Sequence, residues 1–170
     1  MPEKLTLEDA RQSLTAHLES KGFEIRQKYG PEIGWAQLQQ ILKDRDCTRY
    51  PCELAFDDAP LRDGEFAWPQ PVSDNPEDGY RMCVHPFFLT QPEAVPGLVL
   101  YQLVAVNYGD FASPEDAEAF GAAVLGLSRD DYYAQLCELA DLVSAGIATA
   151  DPPMPEGSGC GCGSSCGCHS

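Results

Sequence analysis

Four cysteines and one histidine lie close together near the C-terminal end of the sequence. The cysteines follow a C-x-C-x3-C-x-C pattern at Cys160, Cys162, Cys166 and Cys168, and His169 comes directly after the last of them. Thiolates are soft donors that suit copper(I), zinc and iron–sulfur clusters, and four of them can complete a tetrahedral site. The imidazole of His169 is a fifth candidate donor. The pattern therefore predicts affinity for a soft metal ion or a cluster, without deciding which.

The composition of this segment bears on how tightly a metal would be held. From Gly157 onward every residue is Gly, Ser, Cys or His, so we expect the segment to be disordered without a ligand. A structural zinc site in a small peptide supplies roughly 10–16 kcal/mol. Ordering the backbone from Cys160 to Cys168 costs about 1–2 kcal/mol per residue. Because the two totals nearly cancel, we expect an exchangeable site, which fits storage, delivery or transfer.

A second candidate metal site consists of Cys47, Cys52, Cys83 and His85. Cys83 and His85 lie two residues apart in a predicted strand, so both side chains are expected on one face. Cys47 and Cys52 have a C-x4-C spacing at the entry to another predicted strand. Together these residues could form a Cys3His site. The alternative is that Cys52 belongs to the core and that His85 is an ordinary polar residue before Pro86.

The remaining candidate residues have simpler interpretations. Cys137 is expected in the core on the apolar face of its helix, and His17 is expected to have a structural role rather than to bind a metal. Motifs for nucleotide binding, zinc proteases and serine hydrolases are missing from the sequence. Four carboxylates form acidic pairs that could hold a hard cation but are more often solvated charges: Asp44, Asp46, Asp57 and Asp58.

The overall charge excludes several classes of partner. The chain has 170 residues and a mass of 18.5 kDa, with 27 acidic and 11 basic residues, a net charge of −16. Nucleic acids and anionic membranes are poor partners for such a chain, whereas metal ions and basic protein surfaces are suitable ones. The sequence has no apolar run long enough for a signal peptide or a membrane span. We therefore expect a cytoplasmic protein with reduced cysteines.

The pattern of helices and strands in the sequence predicts a single compact α+β domain at residues 1–145, which would position the candidate site residues. A Pro/Gly linker at 146–159 and the Cys-rich tail at 160–170 follow. Helical patterns begin at the capping box of Thr6 with Asp9, at Pro31, at Ser113 and at Ser128. The first helix is expected to end at Gly22. The last two helices make the C-terminal half helical.

The predicted strands are short and alternate with turns. We expect strands at 23–29, 52–56 and 80–85, and a further short strand at 65–68 within a long loop or hairpin region at 57–79. Residues 98–108 are apolar nearly throughout and predict a buried helix, with a buried strand as the alternative. This order of elements is typical of the α+β class with a small sheet.

Two short motifs in the tail resemble those of known metal-handling families. The run Cys166-Gly167-Cys168-His169 resembles the C-terminal end of nickel-handling prolyl isomerases that carry metal-binding tails. The run from Cys160 to Ser165 resembles the Cys-Gly-Cys-Gly motif of A-type iron–sulfur carriers. Both resemblances lie within residues 160–170 and imply the handling of a metal, nickel included, or of a cluster.

These features together predict a cytoplasmic accessory protein that delivers a metal or a cluster. Its folded body would recognise a client metalloprotein or the maturation machinery, while the tail holds the cargo. Two other classes of function stay open. The chain could be the precursor of a Cys-rich modified peptide, or a redox-regulated protein with no metal duty. Alternatively, it could be an enzyme with a site in the loop of residues 57–79, although the sequence favours a protein without catalytic activity.

Overall fold

The computed structural model describes residues 6–149 of the chain. In this part the chain forms five α-helices and one three-stranded sheet, joined by loops and short 3-10 turns. The helices are α1 (Leu7–Tyr29), α2 (Trp35–Lys43), α3 (Val95–Tyr108), α4 (Pro114–Leu125) and α5 (Arg129–Thr149). The strands are β1 (Cys52–Phe56), β2 (Ala67–Pro71) and β3 (Tyr80–Val84). The predicted α+β class, with a small sheet and a helical C-terminal half, is confirmed.

Helix α1 is longer than its sequence predicts. It begins at the predicted capping box, in which the Asp9 N–H donates to the Thr6 hydroxyl and the Thr6 N–H donates to the Asp9 carboxylate. The predicted end at Gly22 and the predicted strand at 23–29 are wrong, because α1 continues to Tyr29. Gly22 is buried against α4, where the close approach of the two helices leaves no room for a side chain. Its role is packing rather than helix termination.

The sheet is mixed, with strand order β1-β3-β2. Strand β1 pairs in parallel with β3, and β2 pairs antiparallel with it. The strands predicted at 52–56 and 80–85 are confirmed to within one residue. The third strand begins two residues later than the predicted 65–68 and contains Pro69 and Pro71. An edge strand tolerates prolines because its outer side needs no N–H donors for pairing.

Helix α3 is the centre of the molecule. The predicted buried helix at 98–108 is confirmed, and it begins slightly earlier, at Val95. It contacts α2, α4 and α5 as well as strands β2 and β3. Its buried side chains therefore meet apolar residues from nearly every other element, including Leu38 and Ile41 of α2, Met82 of β3 and Phe120 of α4.

Tyr132 fixes α5 against the helices before it. The predicted cap of α5 is present, with the Asp131 N–H donating to the Ser128 hydroxyl. The ring of Tyr132 is fully buried and lies directly on Gly121 of α4, and its hydroxyl donates a 2.5 Å hydrogen bond to the Gly97 carbonyl of α3. Cys137, in contrast, is exposed, so its predicted place in the core is wrong. The buried stripe of α5 is narrower than the apolar pattern indicates, because α5 packs on one side only.

The close contact of α1 with α4 at Gly22 predicts that an alanine at this position destabilises the protein. A Cβ atom at Gly22 would lie 2.6 Å from the Ala123 Cβ and 2.8 Å from the Phe120 carbonyl oxygen, so the two helices would have to separate. We expect Gly22→Ala to lower the stability by about 1–3 kcal/mol, which corresponds to about 2–4 °C in Tm per kcal/mol for a chain of this size. Thermal unfolding followed by circular dichroism measures the change.

The matched control is Gly97→Ala in α3. Its Cβ would meet nothing closer than a Tyr132 ring carbon at 3.9 Å. Since alanine is also the better helix former, Gly97→Ala should leave the Tm unchanged or raise it slightly. Equal Tm values for the two variants would show that α1 and α4 are not tightly packed at Gly22.

Candidate functional site

The five tail residues that the sequence nominates as metal ligands lie outside the described residues. These are Cys160, Cys162, Cys166, Cys168 and His169. The predicted linker at 146–159 begins within α5, which runs to Thr149, and its remainder lies outside the described residues as well. The metal site predicted for them stays a prediction. The structure does place every residue of the second candidate site, Cys47, Cys52, Cys83 and His85.

The two strand cysteines of the second site lie on opposite faces of the sheet. Cys52 pairs with Tyr80, whereas Cys83 pairs with Ala55, three residues further along the ladder. Three residues correspond to roughly 10 Å along a strand, and an odd offset reverses the direction of the side chain. The Cys83 thiol accordingly lies near the Gln70 side-chain oxygen, at 3.8 Å, on its own face of the sheet. One metal ion cannot bridge these two thiols in this register.

His85 and Cys47 each take part in the local structure of a turn. Strand β3 ends at Val84, and the His85 Nδ1 accepts a 3.1 Å hydrogen bond from the Phe87 N–H, which caps the following 3-10 turn. Cys47 lies in the turn after α2, where its carbonyl accepts from the Asn107 side chain. No three His, Cys, Asp or Glu side chains in residues 6–146 are grouped so that they could hold a metal ion. The four residues are therefore not brought together as one site.

The inner thiols are also poorly suited to chemistry as single groups. Burial raises the pKa of the Cys47 thiol to about 11 and that of the Cys52 thiol to about 12. Burial likewise raises the pKa of Cys83. All three side chains are buried. Since the thiolate is the nucleophile and the metal ligand, these thiols stay protonated and unreactive near neutral pH.

In each acidic pair, one carboxylate is bound by other groups of the same chain. Asp44 accepts hydrogen bonds from the Lys28 ammonium at 2.5 Å, from the Tyr29 hydroxyl at 2.6 Å and from the Asp46 N–H at 2.9 Å. These bonds, that of Lys28 above all, hold the pKa of the Asp44 carboxyl well below its usual range. Asp57 forms an ion pair with Arg81 at 2.9 Å. One carboxylate of each pair thus stabilises the fold and is already neutralised.

Other candidates also have structural roles. The exposed ring of His17 meets the Tyr108 ring edge-on, and its Nε2 lies 3.2 Å from the Tyr108 hydroxyl. In the region of residues 57–79, β2 supplies one edge of the sheet, and Ser73, Asn75 and Asp78 stabilise a turn by hydrogen bonds among themselves. These contacts give the enzyme alternative no support.

The structure adds a feature that the sequence did not reveal, a groove between α2 and β1. This groove has a volume of about 450 Å3. We call it the β1 groove, and it is lined by Gln39, Leu42, Lys43, Arg45, Cys52 and Leu54, among others. Its walls are a helix face and a strand edge that only the folded chain brings together, so no local pattern in the sequence indicates it.

Comparison of the chain with models of protein families, with curated proteins and with solved structures gives no significant match. Within the described part of the chain, no helix is both long enough and apolar enough to cross a membrane. The residues themselves are therefore the basis for a functional proposal.

The contacts of Asp44 predict a pH-dependent contribution to stability. A carboxyl whose pKa is depressed in the folded state stabilises the protein above the unfolded pKa, about 3.9 for Asp, and this stabilisation is lost as the pH falls below that value. We expect Asp44→Asn to lower the Tm by a few degrees at pH 7, and the difference from the wild type to shrink below about pH 4. Melting curves across this pH range measure it.

Asp46→Asn is the matched control for this experiment. Asp46 is exposed two residues away, and its substitution should leave the Tm nearly unchanged. A difference between Asp44→Asn and the wild type that is the same at every pH would contradict the assigned role of the carboxylate charge.

The burial of the inner thiols predicts their reactivity. We consider a variant with serine at Cys160, Cys162, Cys166 and Cys168, which keeps the four cysteines of the body. Near neutral pH, a thiol reagent should label one group rapidly in the folded protein, and that group should be the exposed Cys137. The other three should react only after unfolding in denaturant. Cys137→Ser in this background should remove the rapid phase, and rapid labelling of a second thiol would refute the proposed burial.

Proposed function

We propose that this protein is a cytoplasmic accessory protein that holds a soft metal ion or an iron–sulfur cluster on its tail and delivers it to a client protein. The ligands would be the thiolates of Cys160, Cys162, Cys166 and Cys168, with His169 as a further donor. The observation that carries the proposal is the array of four thiols within nine residues, separated by glycine and serine. Zinc, copper(I), nickel and a cluster are the cargoes that such ligands fit.

The burial of the cysteines in the folded body supports this proposal. Cys47, Cys52 and Cys83 are buried, and burial raises the pKa of each. Binding of a metal to them would have to overcome both the protonation of the thiols and the packing around them. A metal offered to the protein is therefore expected to select the tail.

The length of chain between the body and the thiols suits delivery. Ten residues separate Thr149, the last residue of α5, from Cys160. An unconstrained chain of ten residues has a root-mean-square span of roughly 16–19 Å. Ligands carried at that distance can enter the site of a client while the body remains bound elsewhere on its surface. A reducing compartment would keep the thiols available, which is why we place the protein in the cytoplasm.

The proposal predicts one exchangeable metal equivalent or cluster on the tail. Anaerobically purified protein should show this equivalent in native mass spectrometry, with metal analysis to identify the element. Because the thiols must lose their protons, whose free pKa is about 8.5, the apparent affinity should rise between about pH 6 and 8. A strong chelator should remove the metal within minutes and leave the circular dichroism of the body unchanged.

Two control variants make this experiment decisive. The quadruple Cys-to-Ser tail variant should lose the bound metal, whereas Cys137→Ser should retain it. Retention of the same metal with the same affinity in the quadruple variant would place the site elsewhere. Unfolding on metal removal would show a structural site and refute delivery. A tail that is cleaved or covalently modified would differ in intact mass from the 18.5 kDa chain and would favour the precursor alternative.

A further inference from the structure

Strand β1 has a free outer edge. It lies at one side of the sheet, and its single strand partner within residues 6–149 is β3. The Tyr80 N–H donates to the Pro51 carbonyl at 2.7 Å, and the Asp57 N–H donates to the Val84 carbonyl at 3.1 Å. In a parallel ladder with this phase, the backbone groups of residues 53 and 55 point toward β3. The N–H and C=O groups of residues 52, 54 and 56 therefore point outward, in position to pair with another strand.

The other edge of the sheet, formed by β2, is blocked to the addition of a further strand, whereas the edge formed by β1 is not. Strand β2 contains Pro69 and Pro71, which have no N–H to offer. Prolines on an edge are a common means of preventing the addition of a further strand. Strand β1 has no proline between Cys52 and Phe56. Of the two edges, only that of β1 can accept an added strand along its whole length.

Helix α2 gives this edge a second wall. At one end, the Trp35 ring is stacked on the Phe56 ring with centroids 6.0 Å apart. At the other end, Leu42 lies beside Cys52 in the β1 groove. The helix thus runs along the strand, with Leu42 and Leu54 as apolar lining between them. A groove between an edge strand and a helix is one of the known ways in which proteins bind extended peptides.

Cations outnumber carboxylates by three to two around the groove and the hollow beside it, in a strongly acidic protein. Lys43 and Arg45 line it, and Arg45 and Arg49 line an adjoining hollow of about 380 Å3. All three side chains are exposed, and the ion pairs of the described residues engage other cations. Two carboxylates, Glu53 and Glu77, line the same two spaces.

We propose that the β1 groove binds an extended acidic segment of a partner protein, which adds to the sheet as a fourth strand beside β1. Its backbone would pair with residues 52, 54 and 56, and its carboxylates would lie against Lys43, Arg45 and Arg49. The cations select the charge of the occupant, and the free edge selects its extended conformation. This inference goes beyond the metal role, because the groove offers the same contacts whether or not the tail carries a metal.

Two other occupants fit the groove less well. The chain's own linker contains Pro152, Pro153 and Pro155, and these residues have no N–H for a strand ladder. A second copy of the chain would bring together two molecules with a net charge of −16 each, and their repulsion opposes close association. An acidic segment of a partner can be free of proline, and its repulsion by the rest of the chain is offset locally by Lys43, Arg45 and Arg49.

The test uses a labelled octapeptide of alternating valine and glutamate, titrated by fluorescence anisotropy. The protein is the metal-free quadruple Cys-to-Ser tail variant, so the outcome does not depend on the metal proposal. We expect saturable binding that weakens with added salt and an all-lysine counterpart that does not bind. Absence of binding by the acidic peptide at millimolar concentration would overturn the proposal.

Backbone methylation tests strand addition without changing the protein. One version of the peptide carries N-methyl groups on every valine, and the other carries them on every glutamate. Because a strand donates alternate N–H groups to each side, we expect one version to lose binding and the other to keep it. Equal behaviour of the two versions would overturn strand addition.

A pair of charge reversals tests the position of the site. Arg45→Glu should weaken binding of the acidic peptide about five- to tenfold, mainly in the low-salt range. The matched control is Arg11→Glu, an identical change on an exposed residue of α1. The groove adjoins the C-terminal end of α1 through the Lys28–Asp44 ion pair, and Arg11 lies 17 residues earlier, about 25 Å away along the helix.

The control should bind like the parent protein, and equal effects of both reversals would show nonspecific attraction and overturn the proposal. Measurement of the oligomeric state tests the remaining occupant, a second copy of the chain. Sedimentation should show a monomer, whereas a dimer that excludes the peptide from β1 would assign the groove to a second copy and likewise overturn the proposal.

Discussion

Helix α3 has apolar residues on nearly every side, and water must be kept from all of them at once. Eight of its residues are buried: Val95, Pro96, Leu98, Val99, Leu100, Leu103, Val104 and Val106. At about 1.5–3 kcal/mol for each large apolar side chain, their burial contributes on the order of 10–20 kcal/mol. No single neighbour can cover a helix from every direction. The sheet, α2, α4 and α5 must therefore surround it, and this requirement determines where the other elements lie.

Covering α3 also determines the chemistry of the body. Strands β1 and β3 pack their apolar residues inward, and Met82 and Val84 are fully buried. Cys52 belongs to this core, whereas the register places Cys83, which is also buried, on the opposite face of the sheet. With three strands, the sheet has two edges. The prolines of β2 block one of them, and β1 keeps the other beside α2.

Local signals in the sequence were sufficient to predict much of the fold, and nonlocal ones were not. The caps at Thr6, Ser113 and Ser128 involve side chains three residues apart, so the sequence contains the whole motif. Gly22 was misinterpreted as a helix end because a glycine that ends a helix and one that admits a neighbouring helix look the same locally. Cys137 was misplaced because the width of a buried stripe depends on what packs against it.

The candidate sites divide in the same way. The thiol array of the tail is visible because its spacing is local, whereas the second site and the β1 groove depend on strand register. Cys83 and His85 are two residues apart, but β3 ends between them, and His85 caps the next turn instead. Lys43 and Arg45 are ordinary charges in the sequence. They gain significance only because β1 leaves its edge open beside them.

Under the proposed function cysteine has two roles in this chain, and the cost of removing a proton from the thiol separates them. A thiol with the ordinary pKa of about 8.5 must give up its proton to bind a metal, at a modest cost near pH 7. Burial raises the pKa of Cys47 to about 11, so removing its proton near pH 7 costs more than it does for an ordinary thiol. A four-thiol site pays such a difference at every ligand. If the tail binds a metal as we propose, the buried thiols of the body are therefore poor competitors for it.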